Sequence, residues 1–285
     1  FIILLMKYLK VIFLFFIINS SQSQELYINT EPASLIPKGT KVVRLHHHTI
    51  FLNENNEPGS FTSARLTIPS ISYGISKKVM ISASLQFSNN PYELSSNFGF
   101  NGFKLYSKQR LISTDKKKYH TRLSSFIKYS NHGKWNQPNY KFISNNYDLD
   151  SQDSGVEVGL IITQLVNKLA ISVTSGFGII SNKTADGSYD DKNFNSIHNS
   201  ISAGYLLFPR KYKSYKQTNF NIYLEYLTST IIGKEFPSRY ENFMSTFAPG
   251  IQFIIMSRSR LDFGYKIRNN KSPNEFLVKL TYIIY

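Results

Sequence analysis

Beyond residue 24, apolar and polar residues alternate with a period of two in one segment after another. That is the pattern of strands with one apolar and one polar face. Val43, Leu45, Thr49 and Phe51 alternate with Arg44, His46 and His48. Val156, Val158, Leu160 and Ile162 alternate with Gly155, Glu157, Gly159 and Thr163. Phe220, Ile222, Leu224 and Tyr226 alternate with Asn219, Asn221, Tyr223 and Glu225, and Leu261 to Ile267 alternate with Arg260, Asp262, Lys266 and Arg268. The final segment puts Phe276, Val278, Leu280, Tyr282 and Ile284 on one face. No stretch sustains a period of 3.6. The pattern predicts strands over 42–52, 62–75, 79–89, 98–112, 118–131, 155–165, 169–180, 196–208, 217–231, 244–255, 259–268 and 275–285. The fold class is therefore all-β, with about 12 strands.

The connections sharpen this reading. Short ones (Ser76-Lys77-Lys78, the stretch at Asp115-Lys116-Lys117, Val166-Asn167-Lys168, Pro209 to Lys216, Ser257-Arg258) alternate with longer ones at about 53–61, 90–97, 132–154, 181–195, 232–243 and 269–274. The short ones are rich in Lys and Arg. The long ones hold Glu54, Glu57, Asp148, Asp150, Asp153, Asp186, Asp190, Asp191, Glu235 and Glu241. A transmembrane β-barrel has short turns on the periplasmic side, long loops outside and an even strand number. A water-soluble sandwich alternates too, but has no reason to sort its connections by length and charge. The reading is a single closed antiparallel transmembrane barrel over 42–285. In lipid every backbone amide and carbonyl must be paired, so the sheet has to close. Tyr73, Phe87, Tyr106, Tyr119, Tyr129, Tyr205, Phe208, Tyr226, Phe247 and Tyr265 lie near strand ends and are candidates for the interfacial aromatic girdles.

The N-terminus supplies the route to such a membrane. Met6 to Lys10 is a short basic segment, Val11 to Ile18 an apolar run, and Asn19 to Ser23 a polar, small-residue stretch. This is the layout of a secretory signal peptide over 1–23, with 1–5 as upstream residues. The alternative, a membrane anchor, is disfavoured by the short apolar run. No cysteine exists for a lipid anchor. Residues 24–41, interrupted by Pro32, Pro37 and Gly39, read as an irregular periplasmic leader.

Composition then constrains the function class. The 285 residues carry 22 Phe, 19 Tyr and 1 Trp, too many aromatics for a disordered chain. The absence of cysteine excludes disulfide scaffolds, thiolate zinc sites and Cys nucleophiles. Removing Lys7 and Lys10 from the 33 basic residues leaves 31 against 18 acidic ones, a formal charge of +13. In an exported chain with no nucleic-acid motif, that charge does not point to nucleic acid.

The last ten residues, Phe276-Leu277-Val278-Lys279-Leu280-Thr281-Tyr282-Ile283-Ile284-Tyr285, alternate and end on an aromatic. They resemble the assembly signal of bacterial outer-membrane barrels. In the register read here Lys279 and Tyr285 share a face, which turns the terminal ring inward. The cleavage region with Leu26-Tyr27, Thr30-Glu31-Pro32-Ala33-Ser34 and Pro37-Lys38-Gly39 resembles the start of uncharacterised Bacteroidota-type outer-membrane barrels. The resemblance implies an outer-membrane location in a Gram-negative bacterium. It implies outer-membrane lipid and the barrel-assembly machinery as partners, with no cofactor or catalytic residue.

If the apolar face meets lipid, the other face lines the interior. It holds Arg44, His46, His48, Arg65, Arg122, Lys128, Arg260, Lys266, Arg268 and Lys279, with acidic Glu157, Glu225 and Asp262. The basic excess gives a wet lumen a positive potential; alternatively the charges pair and brace a plugged barrel. His46 and His48 share a strand face about 6.6 Å apart. They are weak metal candidates, because no His or carboxylate stands at matching height on strands 2 or 12. His120, His132 and His198 stand isolated. A lipid-modifying barrel enzyme needs a lipid-facing His beside a lipid-facing Ser, and His47, the outward histidine, has no such Ser on its strand. Two functions remain: a narrow pore for small, anionic solutes, or a structural barrel engaging a partner through its long loops or leader.

Overall fold

The computed structural model describes residues 27–51, 63–88, 98–116, 119–132, 149, 154–181, 193–209, 217–233, 243–269 and 274–285. The signal-peptide segment and the ten acidic residues of the long connections lie outside the described residues. Twelve strands run in chain order: β1 (Lys41–Phe51), β2 (Ser63–Gly74), β3 (Val79–Ser88), β4 (Gly99–Asp115), β5 (Tyr119–His132), β6 (Ser154–Val166), β7 (Leu169–Ser181), β8 (Phe194–Phe208), β9 (Asn219–Ile232), β10 (Phe243–Ile255), β11 (Ser259–Arg268) and β12 (Glu275–Ile284). Each pairs antiparallel with its sequence neighbours, and β1 closes on β12 with Leu45 opposite Leu280. The sheet therefore has no free edge.

Alternation decides which way each residue points. Val43, Leu45, Ile81, Leu105, Val158, Val173, Phe177 and Leu224 are exposed on the outside. Ser72, Gln86, Lys108, Ser124, Glu157, Ser202, Asn221, Glu225, Gln252 and Asp262 are buried on the inside. The arrangement inverts that of a water-soluble protein. A continuous apolar exterior of this extent belongs in lipid. Nine of the ten girdle candidates are on this exterior. Tyr106 is the exception: it points inward, 5.9 Å from the Phe126 ring, in an apolar cluster with Met80 and Ile161.

Two prolines interrupt the ladders where their missing amide requires it. The β2–β3 pairing skips Ile68 and Pro69 between Thr67–Phe87 and Ser70–Ser84. The β10–β11 pairing skips Ala248 and Pro249 between Phe247–Ile267 and Gly250–Gly264. Register is preserved across both gaps. Tyr223 reaches over Gly250: a Cβ there would come within 2.3 Å of the ring. The Tyr223 hydroxyl donates to the Phe263 carbonyl at 3.2 Å.

The leader is not a lead-in outside the barrel, as its irregular sequence suggests. Residues 27–36 run inside it, with Tyr27, Ile28, Ala33, Leu35 and Ile36 buried. The chain leaves the lumen through a turn at Pro37-Lys38-Gly39-Thr40. There the Thr40 amide donates to the Pro37 carbonyl at 3.1 Å, and Gly39 takes φ +81°. Positive φ at the third position of such a turn favours glycine. At the rim the Gly39 amide donates to the Gly74 carbonyl (2.8 Å) and the Gly74 amide to the Thr40 carbonyl (3.1 Å). A Cβ on Gly74 would lie 2.1 Å from the Pro37 carbonyl oxygen, so only glycine lets leader and wall approach this closely.

Candidate functional site

The leader is held by polar groups from strands far apart in sequence. The Tyr27 hydroxyl donates to the Ala170 carbonyl at 3.0 Å. Lys279 donates to the carbonyls of Tyr27 (2.7 Å) and Ile28 (3.3 Å). Glu225 accepts from the Asn29 amide and Nδ2 and from the Thr30 amide and hydroxyl, at 2.7–3.2 Å. Thr30 and Ser202 hydroxyls are 2.8 Å apart. Lys108 reaches the Pro32 carbonyl (2.7 Å) and Glu31 (3.3 Å). The Ala33 amide donates to Thr163 Oγ1 at 2.8 Å, and Ser124 donates to the Ala33 carbonyl at 2.6 Å. Small hydroxyl side chains on the inner wall leave room for an irregular strand and supply what its backbone lacks.

Ile28 to Glu31 form one boundary of a cavity of about 210 Å³ that lies on the long-connection side of the leader. Its walls carry Arg44, Lys104, Lys128, Lys266 and Lys279 against Glu31 and Glu157, with His46, His48 and His198 among them. Met244, also on the wall, joins Leu149, Ile180, Phe194 and Ile231 in an apolar cluster. Leu149 comes from the connection between β5 and β6 and is fully buried.

Most of the expected interior residues point inward. Arg44 donates to Ser72 at 2.8 Å. Lys128 is 3.4 Å from Glu157. Lys266 is 3.4 Å from Glu275, and Arg268 bonds the same carboxylate. Asp262 accepts from Gln252 at 2.7 Å, which leaves the Gln252 oxygen to accept from Asn221. Arg260 is buried. Arg122 has inward parity but lies at the short-turn rim, 2.6 Å from exposed Asp115. The interior thus contains both paired charge and a basic cavity.

Four expectations need correction. Arg65 is exposed on the outer face, because the inward set of β2 is Leu66, Ile68, Ser70 and Ser72. Near the interface an outward Arg costs only about 0–1 kcal/mol, so alternation is weakly enforced at a strand end. A carboxylate does stand opposite the histidine pair: Glu275 of β12 is 3.0 Å from His48 Nδ1. That carboxylate is shared with Lys266 and Arg268, which makes it an ion-pair partner. His46 and His48 have ring centroids 4.2 Å apart, and no group of three or more metal-ligating residues occurs among the described residues. His198 and His120 are not isolated, since they lie 3.2 Å from Glu157 and 2.6 Å from Asp115. Tyr285 is exposed beside Arg258 rather than inward with Lys279, because it lies one residue beyond the end of β12. Lys104, Lys108, Glu275 and Glu31 did not figure among the candidates. The even-numbered series Lys104, Tyr106, Lys108 carried the signal for two of them. His47 points outward, as expected, and meets Thr67 Oγ1 at 2.8 Å.

Closed twelve-stranded sheet, lipid-compatible exterior and polar interior define the class as a transmembrane β-barrel. No protein-family model and no curated protein sequence matches the chain. Solved structures do. An outer-membrane channel from Pseudomonas putida F1 superposes with a TM-score of 0.53 at 10% identity, over 90% of this chain and 99% of that one. The KdgM porin superposes with a TM-score of 0.50 at 8% identity, over 86% and 99%. The NanC porin gives 0.50 at 10% identity, over 85% and 98%. At these identities the likeness is one of fold.

Proposed function

We propose that the chain is an outer-membrane channel of a Gram-negative bacterium, exported by its N-terminal signal and carrying small solutes, with a preference for anions. The leader's resemblance to Bacteroidota-type barrels is part of the same reading. The observation that carries the anion preference is the excess of Arg and Lys over Glu on the cavity wall. Fixed charge in a confined, low-dielectric space focuses potential and concentrates counter-ions. Twelve strands lie between small barrels filled by side chains and sixteen-stranded porins with an aqueous channel, so the path is narrow and wall charge acts at short range. Names of the structural neighbours, porin and channel, agree with this reading. No step of it needs catalysis.

One observation favours a second reading, a barrel that serves as a scaffold: the leader occupies the lumen near the short turns and is bonded on several sides. Conductance of purified full-length protein in planar bilayers separates the two. A reversal potential in a salt gradient that reports anion preference supports the channel. Stable insertion without conductance, or cation preference, rejects it.

A further inference from the structure

We infer that the short-turn rim, along the arc around the seam between β1 and β12, binds anionic phospholipid headgroups. This goes beyond the channel reading and does not depend on whether the lumen conducts. The leaflet concerned, the periplasmic one, follows from the reading of the short turns as periplasmic.

Three connections bring cations to this arc. The β10–β11 turn carries Arg258, the leader turn and the start of β1 carry Lys38 and Lys41, and the β2–β3 turn carries Lys77 and Lys78; all five are exposed. The strands β11, β12, β1 and β2 are consecutive in the wall. The five cations therefore fall within about four strand spacings, roughly 20 Å. No acidic residue occurs in 37–43, 70–79, 255–261 or 280–285. Lys38, Lys41, Lys77 and Lys78 form no ion pair among the described residues.

The backbone holds these positions in place. Ser76 Oγ accepts from the Lys78 and Val79 amides at 3.1 and 3.0 Å. The bond from the Gly39 amide to the Gly74 carbonyl ties the leader turn to β2, and the Ile283 amide donates to the Arg258 carbonyl at 3.0 Å. Elsewhere on the same rim the chain answers its own charge. Arg122 and His120 both meet Asp115 at 2.6 Å, and Lys168 donates to the Pro209 carbonyl at 2.8 Å. The seam arc is where positive charge is left facing outward.

Apolar neighbours decide what that charge meets. Ile75 and Met256 stand in the two turns that bracket the arc, 45% and 65% exposed. Tyr73, Tyr282 and Tyr285 are exposed on the outer surface beside them. The Arg258 guanidinium lies 5.6 Å from the Tyr285 ring centroid. Tyrosines of this kind sit at headgroup level. There a lysine stem lies along apolar surface while its ammonium reaches the polar layer. Clustered cations beside a membrane attract anionic lipid. A soluble acidic partner answers the charge and leaves Ile75 and Met256 in water; an anionic lipid answers both.

Native mass spectrometry of the folded full-length protein in detergent tests this, with phosphatidylglycerol and phosphatidylcholine of identical acyl chains as probes. Phosphatidylglycerol is expected to bind at least fivefold more tightly. A Lys38→Gln/Lys41→Gln/Lys77→Gln/Lys78→Gln protein should bind the two lipids within twofold of each other, whereas arginine at the same four positions should keep the preference. Lys77→Gln/Lys78→Gln alone, confined to an exposed turn, should at least halve the preference, and it reads the arc even if the fourfold variant does not fold. Lys116→Gln/Lys168→Gln, elsewhere on the rim, should leave the preference unchanged. Equal binding of the two lipids by the unaltered protein, or an equal loss in the Lys116/Lys168 variant, overturns the proposal. So does retention on purified peptidoglycan that the arc variants lose, without any lipid preference, which would assign the arc to the cell wall. Bilayer conductance is a separate readout: a barrel that conducts without lipid preference keeps the channel and loses this site, and one that prefers anionic lipid without conducting does the reverse.

Discussion

In the half of the lumen nearest the short turns, wall groups meet the leader: Glu225, Lys279, Lys108, Ser124 and Thr163 each bond it. In the half nearest the long connections, comparable polar walls face a cavity, and His46, His48 and Thr174 have side-chain atoms there without partners among the described residues. The same inner-face chemistry is thus satisfied by the chain itself on one side and available to a solute on the other. A polar lumen is a requirement of the barrel; what fills it is a separate choice of sequence.

The largest effect is expected from fixing the leader. Thr30 and Ser202 hydroxyls are 2.8 Å apart, and the chain has no cysteine of its own. A Thr30→Cys/Ser202→Cys protein should therefore form one defined disulfide. If the leader must shift for solutes to pass, single-channel conductance should be at least tenfold lower when oxidised than when reduced. Equal conductance in both states would mean that the two halves work independently.

Glu225→Leu should loosen the satisfied half. It leaves half-buried leader amides without an acceptor, at up to about 1–3 kcal/mol each. Urea unfolding in lipid vesicles should show a loss of about 2–5 kcal/mol, and the leader should become sensitive to added protease. Unchanged stability would show that the leader contributes little to the folded state.

Gly74→Ala acts at the rim. Its Cβ would collide with the Pro37 carbonyl, and a loss of about 1–3 kcal/mol is expected, typical of strain from overpacking. Faster proteolysis at the leader, with the barrel itself still folded, is the accompanying readout.

The smallest effect separates inner from outer charge. Arg44→Gln should lower anion selectivity by about twofold at 0.1 M salt and less at 1 M, where the Debye length falls from about 10 Å to about 3 Å. Arg65→Gln should leave selectivity unchanged, because Arg65 is exposed on the outer face. A matching loss in both variants would argue against wall charge as the cause.

Strands were legible because two solvents act on them. Lipid outside and polar contents inside enforce alternation over ten or more residues, and all twelve segments lie within about three residues of expectation. Legibility failed where that pressure relaxes. Arg65 stands near a strand end. Tyr106 is aromatic, and aromatic residues suit the girdle and the inner apolar cluster equally well. The leader has no period at all, since its partners Ala170, Glu225 and Lys279 are 143, 196 and 252 residues away. Such contacts follow from three-dimensional proximity that no local pattern encodes. Pairing of His48 with Glu275 was missed for the same reason, as closure of β1 on β12 sets it.

Those separations also order events in time. Lys279 belongs to β12, the last strand in the chain, and it grips the carbonyls of Tyr27 and Ile28 at the start of the described chain. Contacts of long sequence separation carry a loop-closure cost that is met late in folding. The full set of leader bonds can form only once β12 is in place, so seating of the leader is completed no earlier than the last strand joins the wall. The Lys279 bonds to Tyr27 and Ile28 are therefore among the last of the leader contacts to form.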